Sequence, residues 1–302
     1  MQCIEINNLT KDYGNEHGLF NISVGIAEGE VYGYAGTNGA GKTTTTRHLM
    51  GFIKADSGNT KIKGLDCWKN ADLTKKLIGY VPGEIAFPDA KTGYDFLEQQ
   101  AYMLGLKDMN YAKKIIERLQ LDPTANLKRM SKGMKQKTAI TAALMADPEI
   151  LIFDEPTTGL DPLMRVAFME LLTEEKKKGK TIFMSSHMFD ELEEICDRVA
   201  FIEAGRIIAE VETNEIKYKS DKTFKIEFIE HGDYEQFKNS YNRIIKDRRD
   251  QNQLIVSVND SEINVFMNTL KKYKLKFFKQ NKYTIEEYFK SFYNGGEQYN
   301  DK

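Results

Sequence analysis

Cysteine is scarce: three residues in 302, Cys3, Cys67 and Cys196, with no CxxC pair and with the four histidines (17, 48, 187 and 231) remote from them in sequence. That pattern speaks against a disulfide framework and against a zinc site. No apolar run approaches the roughly 20 residues that a membrane helix needs. The opening MQCIEINNLTKDYG has neither the basic stretch nor the apolar core of a secretory signal, so the expected compartment is the cytoplasm. An excess of one charge is also missing. Forty-three basic and 45 acidic side chains leave a net charge of −2, which gives no general attraction to a polyanion, and no nucleic-acid partner is expected. Tryptophan occurs once, at Trp68, and none of the six prolines lies beyond Pro162. The remainder, 41% apolar and 29% charged residues, is the composition of an ordinary globular protein, and the length suits two domains.

From residue 1 to about 212, short apolar runs alternate with helical periods and Gly-rich turns, as in a βα-rich nucleotide-binding core. The strand candidates are VYGYA (31–35), IGYV (78–81), EILIF (149–153), TIFMS (181–185) and RVAFIE (198–203). Such runs suit strands covered on both faces. Between residues 84 and 146 the periodicity is helical without a convincing strand, which predicts a helical subdomain inserted between two core strands. Beyond about Ser220 the texture turns rich in lysine, asparagine and tyrosine. A domain boundary is therefore expected there, giving domains 1–219 and 220–302. The second reads strand, helix, strand, strand, helix, strand, a ferredoxin-like order, followed by a last helix, TIEEYFKSFY.

The segment GTNGAGKTT, residues 36–44, follows a strand candidate and opens a helical segment, matching GxxxxGK[ST] in its required context. Gly36, Gly39 and Gly41, with Thr37, Asn38, Ala40 and Thr44 between and after them, let the backbone turn its N–H groups toward phosphate oxygens at a helix N-terminus. Lys42 is placed to reach the β- and γ-phosphates, and Thr43 to ligate Mg²⁺. A chance match in a chain of this length is on the order of one in a hundred. In EILIFDEPTTGLD (149–161), an apolar strand ends in two adjacent carboxylates at the edge where ligands bind in open α/β sheets. Strand alternation predicts opposite directions for them, Asp154 toward Mg²⁺ and Glu155 toward a water in line with the γ-phosphate. Ser131, in MSKGMKQK, is a natural N-cap for the helical run after it. Tyr13 and His187 have no role assignable from local context alone.

The order Tyr13, GTNGAGKTT, IGYVPGE, MSKGMKQ, EILIFDEP, TTGLD, SSH resembles the ATP-binding subunit of an ABC transporter over about residues 1–215. The fold this implies is α/β, a P-loop NTPase core with an inserted helical subdomain; the tail adds a small α+β domain. The resemblance makes GTNGAGKTT the Walker A loop and the Asp154–Glu155 strand Walker B. Ser131 and Gly133 become the signature that closes over the nucleotide of a second subunit, a copy or a paralogue. Tyr13 becomes the adenine-stacking ring, Asp161 the residue coupling two sites and His187 the γ-phosphate switch. It further implies ATP with Mg²⁺ as cofactors, a separately encoded multi-span permease as partner, and a place on the cytoplasmic side of the membrane through that permease.

Two motifs depart from the family pattern. Gly83 stands where glutamine is usual, followed by Glu84, whose carboxylate could substitute as an Mg²⁺ contact. Lys132 and Met134 replace a glycine and the glutamine of LSGGQ. These variants and the tail resemble the branch that exports drugs, antimicrobial peptides or other amphipathic compounds. The rival readings are a repair or translation ABC ATPase, which usually carries two cassettes or a long coiled coil, and a nonhydrolytic ATP-dependent scaffold, which does not need Glu155.

Overall fold

The computed structural model describes residues 2–218, 220–281 and 283–293. They fall into two units, Met1–Glu212 and Thr213–Lys302. The division lies seven residues before the expected boundary, because the short helix Thr213–Lys217 goes with the second unit. Residues 294–302 of the expected tail domain lie outside the described residues.

The first unit runs β1 (Gln2–Asp12), β2 (Gly18–Ala27), β3 (Val31–Ala35), α1 (Lys42–Leu49), β4 (Ser57–Ile62), β5 (Leu65–Asp66), α2 (Ala71–Thr74), β6 (Ile78–Val81), α3 (Gly93–Met103), α4 (Asn110–Arg118), α5 (Lys132–Leu144), β7 (Ile150–Asp154), α6 (Pro162–Lys177), β8 (Thr181–Ser186), α7 (Phe189–Ile195), β9 (Arg198–Glu203) and β10 (Arg206–Glu212). Six strands form one sheet in the order β10-β9-β3-β8-β7-β6. Its members from β9 to β6 are parallel, and β10 closes the edge antiparallel. Strands β3, β7 and β8 are buried along their whole length, which is why they read as unbroken apolar runs.

A second, antiparallel sheet in the order β2-β1-β4-β5 was not legible as strands in the sequence. Register shifts interrupt β1 between Ile6 and Leu9 and again before Lys11, and Asn8 has φ +47°. These bulges break the alternation of period two that marks a half-buried strand. Ile4, Ile6, Leu9, Ile22 and Ile26 of this sheet share one core with Tyr32, Tyr34, Ile152, Phe183 and Ile202 of the six-stranded sheet, and with Leu49 of α1. Burying such side chains contributes about 1.5–3 kcal/mol each.

Helices α3, α4 and α5 lie between β6 and β7 in the chain and form their own core, with Phe96, Leu97, Ala112, Leu127 and Met130. The start of α3 is fixed by a capping box, in which Thr92 accepts from the Asp95 N–H and Asp95 accepts from the Thr92 N–H.

The second unit runs α8 (Thr213–Lys217), β11 (Asp221–Phe228), α9 (His231–Ser240), β12 (Ile244–Arg248), β13 (Gln253–Asn259), α10 (Ile263–Leu270), β14 (Leu275–Asn281) and α11 (Ile285–Tyr293). Its sheet has the order β12-β13-β11-β14 with every neighbouring pair antiparallel, the strand order of a split βαβ arrangement. Phe224, Ile226, Phe228, Leu254 and Val256 of the strands meet Tyr234 and Phe237 of α9 and Phe266 and Leu270 of α10.

Candidate functional site

The parallel register places the chemistry. Ala35 of β3 pairs with Ser186 of β8, Ser185 of β8 with Asp154 of β7, and Phe153 of β7 with Val81 of β6. The loops that leave these strands therefore start from one edge of the sheet. They carry Gly36–Gly41, His187, Glu155 and Gly83–Glu84. This is the edge at which open α/β sheets bind ligands.

A cleft of about 870 Å³ opens there, lined among others by Tyr13, Asn38, Gly39, Gly41, Lys42, Thr43, Thr44, Glu84, Glu155 and His187. Gly41, at φ +113°, is the N-cap of α1. A side chain there would be strained by the backbone angle and would lie 2.7 Å from Leu19 Cδ2. The turn leaves the first amides of α1 free to meet an anion. Lys42 is 5% exposed, and its Nζ donates to the carbonyls of Gly36 at 2.8 Å and Thr37 at 3.0 Å. The same Nζ lies 3.1 Å from Glu155 Oε1, while Glu155 Oε2 meets His187 Nδ1.

Asp154 is fully buried beneath the cleft. Ser185 Oγ donates to its Oδ1 at 2.6 Å, and Oδ2 has no hydrogen-bond partner. A Cβ at Gly83 would lie 2.9 Å from that Oδ2, so the glycine that departs from the family pattern stands where the carboxylate approaches closely. Burial, and then the Asp154 charge, push the Tyr80 phenol on the cleft wall up to about 12.

Glu155 requires a correction to the alternation argument. The strand ends at Asp154, and Glu155 has φ +52°, so its side-chain direction comes from a left-handed turn and not from the pleat. The strained conformation is held by its N–H, which meets both the carbonyl (3.1 Å) and the hydroxyl (3.2 Å) of Ser185.

Seven candidate residues do not line this cleft: Gly36, Thr37, Ala40, Ser131, Gly133, Asp154 and Asp161. Gly36 and Ala40 are buried in the fold of the loop, and Thr37 is exposed on it. Ser131 caps α5, accepting from the Met134 N–H at 3.2 Å. Asp161 caps α6, accepting from the Met164 N–H at 3.0 Å. Both side chains belong to exposed residues. Tyr13 is 57% exposed on the rim.

Sequence reasoning missed Ser185, Arg47, Phe52, Tyr80, Thr158 and Glu191. Glu191, buried on α7, accepts from Thr157 Oγ1 at 2.9 Å and ties the TTGLD turn to the helix after His187. Burial raises its carboxyl, and the Thr157 bond partly offsets that. Tyr80, Thr158 and Ser185 lie inside the segments IGYVPGE, TTGLD and SSH without an assigned role, and no local pattern marks Arg47, Phe52 or Glu191.

Comparison with known proteins points to one family. The family described as "ABC transporter" matches residues 19–158. The chain is 35% identical over 222 residues to the bacitracin transport ATP-binding protein BcrA of Bacillus licheniformis, covering 72% of each chain. It is 36% identical to the linearmycin resistance ATP-binding protein LnrL of Bacillus subtilis, covering 68% of each. It is also 36% identical to the lantibiotic transport ATP-binding protein SrtF of Streptococcus pyogenes, covering 69% of this chain and 90% of that one. A solved ATP-binding subunit of an ABC transporter superposes with a TM-score of 0.65 at 28% identity, covering 72% of this chain and 92% of its own. A dimeric bacterial ABC transporter cassette shares the fold, with a TM-score of 0.62 at 24% identity over 70% and 98% of the two chains.

Proposed function

The chain belongs to the family of ABC transporter ATP-binding subunits, and from that premise we propose that it hydrolyses ATP to power export of antimicrobial peptides or other amphipathic compounds through a separately encoded multi-span permease. The observation that carries the hydrolytic part is the chain of contacts Gly36 and Thr37 carbonyls, Lys42, Glu155, His187 at one sheet edge. The export part follows from relatives named for bacitracin, linearmycin and lantibiotics.

In this mechanism the P-loop amides and Lys42 take the phosphates of ATP, and Lys42 exchanges its carbonyl and Glu155 contacts for phosphate oxygens. Glu155, freed from the lysine and still oriented by His187, accepts the proton of the attacking water. Asp154 and Thr43 fit an Mg²⁺ site: the first offers a buried carboxylate oxygen without a partner, the second a hydroxyl on the cleft wall. Held by these residues, Mg²⁺ would supply charge stabilisation to the transferring phosphoryl group. Glu84, exposed on the same cleft, is the third candidate oxygen ligand.

Ser131, Gly133 and Asp161 lie outside the chain's own cleft, which fits their use across an isologous dimer with a second subunit. Closure follows from ATP binding the closed state more tightly than the open one. Among the described residues no helix is long and apolar enough to cross a membrane; in this reading the chain sits at the cytoplasmic face through its permease.

The test is to recover tagged Glu155→Gln chain from detergent-solubilised membranes in Mg-ATP and identify its companions by mass spectrometry. A stoichiometric multi-span protein is expected. Recovery with ribosomes, DNA or no partner would overturn the export reading.

A further inference from the structure

A loop that wraps phosphate needs glycine where its backbone turns, and here that need leaves one side-chain amide open to attack. Residues 37–40 form a turn closed by the Ala40 N–H on the Thr37 carbonyl at 3.2 Å. Asn38 and Gly39 are its central pair, and Gly39 holds φ +83°, an angle that favours glycine at the third position of such a turn. Both residues are exposed and both line the 870 Å³ cleft. A Cβ at Gly39 would meet nothing within 4 Å, so nothing crowds its main chain. Among the described residues, neither the Asn38 side-chain amide nor the Gly39 N–H takes part in a hydrogen bond.

In an asparagine followed by glycine, the next main-chain nitrogen can close a five-membered ring on the side-chain carbonyl carbon, and glycine adds no side chain to hinder the closure. The Gly39 nitrogen gives its proton to water and attacks Asn38 Cγ. The N–Cγ bond forms, the Cγ–Nδ2 bond breaks, and ammonia leaves with a proton. Water then opens the succinimide at either carbonyl, giving aspartate or isoaspartate. The sum is side-chain amide plus water to carboxylic acid plus ammonia, which needs no oxidant and no cofactor. The product is ionised at neutral pH and sets a negative charge among amides that serve phosphate oxygens. The isoaspartate form also adds a carbon to the main chain of the turn.

We propose that Asn38–Gly39 is a deamidation site of the phosphate loop, open while the cleft is empty and closed by bound nucleotide, so that chains left without nucleotide lose the capacity to bind it. This rests on the reading of the cleft as an ATP site. Phosphate oxygens that accept from the loop amides tie up the nitrogen that must attack.

The experiment keeps the full-length chain for days at physiological pH and temperature, with Mg²⁺ alone or with Mg²⁺ and a non-hydrolysable ATP analogue whose affinity has been titrated first. Mass spectrometry of the peptide containing Asn38 scores the mass gain from amide to acid and the isoaspartate isomer. The empty chain is expected to accumulate both products at residue 38. Analogue at about ten times its Kd is expected to slow them about tenfold, because only the unoccupied fraction reacts. Asn294–Gly295, the one other Asn–Gly pair in the sequence, is followed in the same samples as the clock. Asn38→Asp, the direct product, is expected to bind the analogue at least about tenfold more weakly, the scale of one charged contact. No modification at residue 38 in the empty chain, equal rates with and without bound analogue, or equal slowing at Asn294 would overturn the proposal. An Asn38→Asp chain that binds as tightly as the parent overturns it too. A parent chain that binds no analogue in the titration overturns the ATP reading itself, and this proposal with it.

Discussion

The two units of this chain differ in what they bury. In the first, Lys42, Asp154, Glu175, Lys180 and Glu191 are all at least nine-tenths buried, and nine residues other than glycine have positive φ, Glu155 among them. In the second, among the described residues, the buried polar ones are Thr213 and Gln253, neither charged, and Asn252 alone has positive φ outside glycine. Its core is mainly aromatic and aliphatic. Burying charge and holding strained backbone both cost stability. A fold keeps such features where they position reacting groups, and a unit that dispenses with them is shaped by packing. Of these features, Lys42 and Glu155 line the cleft of the first unit, whereas the described core of the second is apolar packing.

The sharpest way to break this contrast is Glu155→Gln. ATP hydrolysis is expected to fall by about 10²–10⁴-fold, the usual contribution of a general base, while ATP still binds. Steady-state turnover at the parent rate would remove Glu155 from its assigned role. In the second unit the equivalent blow is to packing. Phe228, 2% exposed, meets the rings of Tyr234, Phe237 and Tyr273, and Phe228→Ala is expected to destabilise that unit by about 3–5 kcal/mol in denaturant titrations. ATP binding by the folded first unit should persist; its loss would mean that the units do not divide the work as described.

Acid tests the buried polar groups of the first unit. Burial, and then the charge of Lys11, hold the His48 imidazole down at about 4, against 6.5 in an exposed histidine. The folded chain therefore keeps His48 neutral at pH values where the unfolded chain is protonated. The contribution of His48 to stability is full above about pH 6.5 and is lost as the pH falls toward 4, at about 1.4 kcal/mol per pH unit. His48→Asn is expected to flatten that decline in melting curves between pH 6.5 and 4.5; an unchanged slope would assign it to other groups. The smallest effect belongs to the surface of α11, where Glu286 and Lys290 pair at 2.7 Å across one helical turn. Glu286→Ala should cost about 0.3–0.5 kcal/mol, and a loss above 1 kcal/mol in thermal melts would show that this pair does more than decorate a helix.

The phosphate loop, Walker B and the core strands themselves were legible because each is written in consecutive residues. An apolar run buried on both faces has no alternation to lose, and a loop that cradles phosphate needs its glycines at fixed spacing. The antiparallel sheet of β1, β2, β4 and β5 was not, since bulges around Asn8 scramble its period. For Glu155 it was the reason that failed: alternation holds only while the strand continues, and the strand stops one residue earlier, so a left-handed turn aims the side chain.

What the sequence by itself determined is therefore local chemistry: an anion-binding loop with Lys42 and Thr43, a pair of carboxylates at a strand end, and a cap at Ser131. Tertiary structure decided which of these meet. Parallel pairing of β3, β8 and β7 brings Lys42, Glu155 and His187 together, and the same folding leaves Ser131 and Asp161 outside that cleft. The physical reason is that backbone conformation answers to neighbours in sequence, whereas a site requires groups more than a hundred residues apart to share one sheet edge, and only the hydrogen-bond register between strands fixes that.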